Sequence, residues 1–139
     1  MIALDTNVLA RFYVEDERDP QSVRQRKIAL RIMQRSPSLY VARTVVLELE
    51  WVMRGLYGFE AGPIAEAFEH LLGLSNVAVE DRDLVLAALE QMRHGLDFAD
   101  ALHLAASHRC SEMITFDARR FAKRSNRLGL KPRCSVPLR

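Results

Sequence analysis

Four acids at widely separated positions, Asp5, Glu48, Asp100 and Asp117, could do chemistry together. Asp5 interrupts the apolar run IALDTNVL, where a buried, unpaired carboxylate would cost roughly several kcal/mol, so it must be solvated, paired or bound to an ion. Asp117 closes the apolar stretch MITFD. Glu48 lies one turn into helical sequence beginning near Thr44, and Asp100 lies in the first turn of DFADALHLAA with Asp97 three residues earlier. Like charges a few ångströms apart repel and raise one another's pKa unless a cation sits between them. An all-oxygen set of this kind selects a hard divalent ion: Mg2+, which keeps several waters, or Mn2+, which accepts similar ligands. No His-Glu-x-x-His or paired-cysteine pattern points to zinc. An ion held this way polarises a phosphoryl oxygen, helps deprotonate a water and offsets charge on a departing 3′ oxygen, which is phosphodiester hydrolysis. Thr6, Asn7 and Thr115 offer hydroxyl or amide groups to orient water or phosphate, with local capping as their competing role. His103, one turn after Asp100, is a weaker ligand candidate, and His70, His94 and His108 read as helix-surface residues.

Positioning these acids is the task of alternating elements. Strand sequence occurs at Met1–Asp5, Leu39–Ala42, Asn76–Val79 and Met113–Phe116, with a weaker fifth at Arg133–Val136. Helical patterns cover Thr6–Val14, Pro20–Gln34, Thr44–Tyr57, Pro63–Leu72, Asp83–His94, Ala99–His108 and Ala118–Arg127. Asp19-Pro20 opens one helix with a capping acid and a proline, Ser36-Pro37 closes it, and Gly62-Pro63 opens another. Strands alternating with helices imply βαβ crossovers, hence an α/β domain with a mostly parallel sheet and helices on both faces. In such sheets ligands bind beyond the carboxyl ends of the strands, which is where this reading puts the acids. Each also has a plainer role. Asp97 suits an N-cap, and Asp100 suits a first turn favoured by the helix dipole. Glu50, two residues from Glu48, faces elsewhere and is expected at the surface. Glu15–Asp19 and Glu80–Asp83 read as solvated turns.

The 139 residues suit one domain, 1–139, with no repeat or linker. Net charge is +2, yet residues 1–118 hold all 18 acids and 12 of the 20 bases, while residues 119–139 hold eight bases and no acid. Such a cluster suits a polyanion, with a solvated helix face and tail as the plainer reading, and Arg119, Arg120, Lys123 and Arg124 are the candidate cations for contact with one. Phe121 reads as core. Cys110 and Cys134 lack metal or redox spacing and read as packing thiols. Asp5 breaks the first apolar run where a secretory leader needs continuity, and no run approaches a membrane span of about 20 residues, so the expected location is cytoplasmic, without membrane attachment. Within the helix VVLELEWVMRGLY, Val45, Leu49 and Val52 read as core and Trp51 as the residue to test for partner contact; Phe12 and Tyr13 are further candidates for a partner groove.

Four blocks, IALDTNVLARF, TVVLELEWVMR, GLDFADALHLAAS and MITFDARRFAK, together resemble a PIN domain, specifically the small VapC-like toxin ribonucleases of type II toxin–antitoxin pairs. The resemblance covers nearly the whole chain in the expected order. It implies a three-layer α/β/α fold with a central, mostly parallel sheet of four to five strands. The implied activity is Mg2+-dependent endoribonuclease cleavage, with Mn2+ as a substitute, of single-stranded or loop RNA to leave a 5′ phosphate and a 3′ hydroxyl. On that resemblance Asp5, Glu48, Asp100 and Asp117 match the catalytic, metal-binding quartet, Asp97 matches an accessory metal-binding acid, and Thr6, Asn7 and Thr115 match positions lining the pocket. The implied partners are the RNA substrate, a second copy in a homodimer, and a small VapB-like antitoxin that lays apolar residues along a groove. Two rivals differ in class. A haloacid-dehalogenase-type phosphatase opens with a strand ending Asp-x-Asp, but Asn7 occupies its general-acid position. A non-catalytic RNA- or protein-binding module would use the acids only as caps.

Overall fold

A computed structural model describes residues 1–138 of the chain, which divide into two compact units, Met1–Arg82 and the described residues from Asp83 onward. The first unit runs β1 (Ile2–Ala3), α1 (Thr6–Tyr13), α2 (Pro20–Arg35), β2 (Leu39–Val41), α3 (Arg43–Gly55), α4 (Ala61–Gly73) and β3 (Val77–Val79). Its sheet has the order β1-β2-β3 with both pairings parallel, Ile2 opposite Leu39 and Leu39 opposite Val77. Parallel neighbours need a crossover, and a helix pair supplies each one. Leu39 and Val41 on the central strand are fully buried. Leu9 of α1, Val46, Leu49 and Met53 of α3, and Ile64, Phe68 and Leu71 of α4 are buried at helical spacing. Val45 and Val52 are half-buried and Trp51 is exposed.

Local chemistry explains the ends of α2. The Asp19 carboxylate accepts the Gln21 N–H at 3.1 Å and the Ser22 hydroxyl at 2.8 Å, and Pro20 needs no intrahelical donor. At the other end the Asn76 amide donates to the Met33 and Ser36 carbonyls at 3.0 and 2.9 Å, satisfying orphan acceptors that the sequence leaves open. Glu15–Asp19 is a polar turn as expected, with Glu15 paired to Arg26 at 3.3 Å.

The second unit carries α5 (Arg82–Arg93, beginning at the boundary), α6 (Phe98–Ala106), β4 (Glu112–Ile114), a π turn (Ala118–Ala122), α7 (Lys123–Arg127) and β5 (Arg133–Ser135). β4 and β5 pair in parallel, Met113 opposite Cys134. Val85, Leu89, Leu96, Phe98, Leu102, Leu104 and Phe121 are buried. Cys134 is buried too; its backbone N–H and carbonyl are both engaged by the Asn126 amide, at 2.9 and 2.8 Å. Cys110 is exposed, so only one of the two thiols is a packing residue. The chain is thus of the α/β class, and its described residues form five strands whose pairings are all parallel, bonded in sets of three and two. No helix among the described residues is long and apolar enough to cross a membrane.

Candidate active site

Asp5 lies two residues beyond β1 and stands at the N-cap of α1, with extended backbone (φ −85°, ψ 163°). Its carbonyl accepts from Val8 and Leu9, but its exposed side chain makes no capping bond. Capping therefore does not account for a carboxylate at this position. Thr6, the next residue, is 3% exposed, and its hydroxyl oxygen has no hydrogen-bond partner among the described residues. Asn7 is exposed and lines a cavity of about 190 Å³ with Val8, Arg11, Gln25, Ile28 and Ala29.

Glu48 is exposed on the second turn of α3. The start of that helix lacks a side-chain cap from Ala42; instead the Glu80 carboxylate accepts the Arg43 N–H at 2.8 Å, and Asp81 pairs with the Arg43 guanidinium at 2.9 Å. The Glu80–Asp83 segment is therefore not merely a solvated turn. Asp81 holds a left-handed backbone (φ 52°) as it makes this contact. No local signal reveals a cap supplied from 37 residues away. Glu50 also departs from expectation: it is buried, not exposed, with Arg54 donating to its two oxygens at 2.9 and 3.3 Å. Two residues along a helix turn the side chain by about 200°, enough to move it from solvent to the packed face.

The remaining acids belong to the second unit. The Asp97 side chain caps α6 by accepting the Asp100 N–H at 3.1 Å. Asp100, half-buried in the first turn, holds its proton more tightly than an ordinary aspartate: burial is the main cause, and the charges of Asp97 and Asp117 add to it against an opposing pull from His103. Asp117 caps the π turn, one oxygen accepting the Arg120 N–H at 2.8 Å and the Phe121 N–H at 3.4 Å. Its own N–H donates to the Thr115 hydroxyl at 3.0 Å. The continuous helix expected over Ala118–Arg127 begins instead as this wider turn, with the Ala122 N–H reaching back to the Asp117 carbonyl at 3.0 Å. Asp97 and Asp117 thus each lie within electrostatic reach of Asp100, while among the described residues no group of three or more His, Cys, Asp or Glu is gathered closely enough to hold a metal ion.

Arg119, Arg120, Lys123 and Arg124 are all exposed. Arg124 has a structural partner, donating to the Gly95 carbonyl at 2.9 Å, two residues before Asp97. Gly95 takes φ +95°, a conformation that favours glycine, so this turn into α6 is shaped by its own residue and held by Arg124. His94 pairs with Glu90, and His70 bonds the Tyr13 hydroxyl at 2.9 Å, which places both among surface contacts as expected.

A comparison with curated proteins gives no match. The family model described as PIN domain matches residues 2–126, a span that takes in all five acids and the polar residues beside them, and the chain belongs to the PIN domain family.

Proposed function

We propose that the protein is a metal-dependent endoribonuclease, the toxin component of a toxin–antitoxin pair, acting through Asp5, Glu48, Asp100 and Asp117 with Asp97 as an accessory acid. The observation that carries this reading is the PIN match over residues 2–126, which includes each of these residues. The donor chemistry fits a hard ion: every candidate is a carboxylate, and Asp100 carries a like-charge penalty that a cation relieves. Bound Mg2+ or Mn2+ would supply Lewis acidity toward a phosphoryl oxygen and its attacking water. The chain's own contributions are positional. Asp117 is held in place by its cap bonds and by Thr115. Asp5 presents a carboxylate free of capping duty beside Thr6 and Asn7. Arg119, Arg120 and Lys123 offer charge to the phosphates of an RNA strand. A small antitoxin and a second copy of the chain are the partners this reading expects, and the cytoplasm is its expected location.

Purified protein incubated with RNA and Mn2+ should yield fragments bearing 5′ phosphate and 3′ hydroxyl ends, lost in chelator and in Asp5→Asn or Asp100→Asn. Cleavage undiminished in either variant would refute the assignment. A second reading, a non-catalytic binding module, draws on the lack of a gathered metal-liganding group among the described residues. Titration with Mn2+ separates the two, because an inert module should bind no ion through these acids.

A further inference from the structure

Phe116 is the most exposed aromatic side chain among the described large hydrophobics, at 86%, and it directly precedes Asp117. An aromatic ring normally buries its large apolar surface, so this degree of exposure invites a partner. Its backbone is well restrained. On one side the Thr115 N–H donates to the Ser135 carbonyl at 3.0 Å, extending the β4–β5 ladder; on the other, Asp117 is tied to Thr115, Arg120 and Phe121. Ile114, two residues earlier, is 61% exposed, so the end of β4 presents apolar surface twice. Immediately beyond stand three exposed cations, Arg119, Arg120 and Lys123.

A flat apolar ring followed at once by cations matches single-stranded nucleic acid, whose bases stack on aromatic faces while basic groups follow the phosphates. A buried apolar protein partner would have to leave these cations in solvent or match them with acids. We propose that Phe116 is a nucleobase-stacking platform that positions single-stranded RNA beside Asp117. The assignment rests on the nuclease reading for its substrate, and it adds a stacking surface for an unpaired base that the acids and cations do not supply.

The test uses full-length Asp100→Asn protein, in chelator, with a short single-stranded RNA carrying 2-aminopurine, whose fluorescence is quenched on stacking. Phe116→Leu should weaken binding roughly 5- to 150-fold and abolish the quench, whereas Phe116→Tyr should retain both. The slope of log affinity against log salt should stay unchanged in Phe116→Leu, because no charge is lost, and should fall in Arg119→Gln and Lys123→Gln. Binding by Phe116→Leu within about twofold of its parent would overturn the platform. So would a change in oligomeric state by sedimentation with RNA affinity intact, which would make the ring a protein interface. If the ring-dependent binding is present but the wild-type protein does not cleave RNA in Mn2+, the nuclease reading fails and the platform stands.

Discussion

Glu48 and Glu50 are two residues apart on α3, and the structure leaves the first in solvent and buries the second, a contrast that a pair of amide substitutions can test. Glu50 is 2% exposed and receives two charge-assisted bonds from Arg54, itself 47% exposed. Breaking a fully buried pair costs about 3–5 kcal/mol, but a half-exposed arginine is partly rehydrated and screened. Glu50→Gln keeps one acceptor and turns an amide donor toward a guanidinium donor, so a loss of about 2 kcal/mol is expected. For a chain of this length that corresponds to a drop of about 7 °C in melting temperature. Glu48 is exposed, and Glu48→Gln should change stability by no more than about 0.5 kcal/mol. Its cost should fall on the ion instead, with Mn2+ affinity and RNA cleavage reduced by at least the roughly 10- to 100-fold seen on removing a mere outer partner of a metal ligand. Thermal melts followed by circular dichroism and Mn2+ titration calorimetry read the two effects independently. A destabilised Glu48→Gln with normal Mn2+ binding, or a fully stable Glu50→Gln that no longer binds the ion, would refute this division of labour.

Three further outcomes follow from the geometry. Asp100 has a folded-state pKa above its unfolded value, so its contribution favours the fold at acid pH and turns into a penalty as pH rises through the raised value; in chelator, the melting temperature of Asp100→Asn minus that of wild type should therefore grow with pH, and a constant difference would contradict the burial and like-charge argument. Thr6→Val removes an unpartnered buried hydroxyl without changing shape and should be neutral or stabilising by up to about 1–3 kcal/mol in denaturant unfolding, whereas a clear loss of stability would mean that the hydroxyl has a partner. Arg124→Gln frees the Gly95 carbonyl and should cost about 1 kcal/mol and speed hydrogen exchange at the Asp100 and Ala101 amides. Its RNA-binding salt slope should stay at the wild-type value; a slope reduced by about one would make Arg124 a phosphate contact.

Much of the scaffold was legible from short-range pattern. The Asp19-Pro20 start and Ser36 end of α2, the strand read at Leu39–Ala42 and the alternation of strands with helices all rest on neighbours within a few residues; the structure has the helix ends where the pattern puts them and the strand one residue shorter, at Leu39–Val41. The resemblance to a PIN domain was legible as well, because its four blocks are contiguous stretches, and the family match covers residues 2–126. The acids themselves could be named this way, and so could the capping role of Asp97.

What sequence alone determined about this protein is its alternating α/β order, its family and the identity of its acidic and basic residues, since each of these is written in local type and spacing. Only the tertiary structure decided which acids are exposed and which are engaged. Glu50 went inside with Arg54, Glu80 and Asp81 were recruited to the start of α3, and Asp5 was left without a capping bond while Asp97 and Asp117 cap their helices. The physical reason is range: a helix or strand needs only nearby residues to declare itself, whereas burial and the partner of a charge depend on what distant segments bring against it.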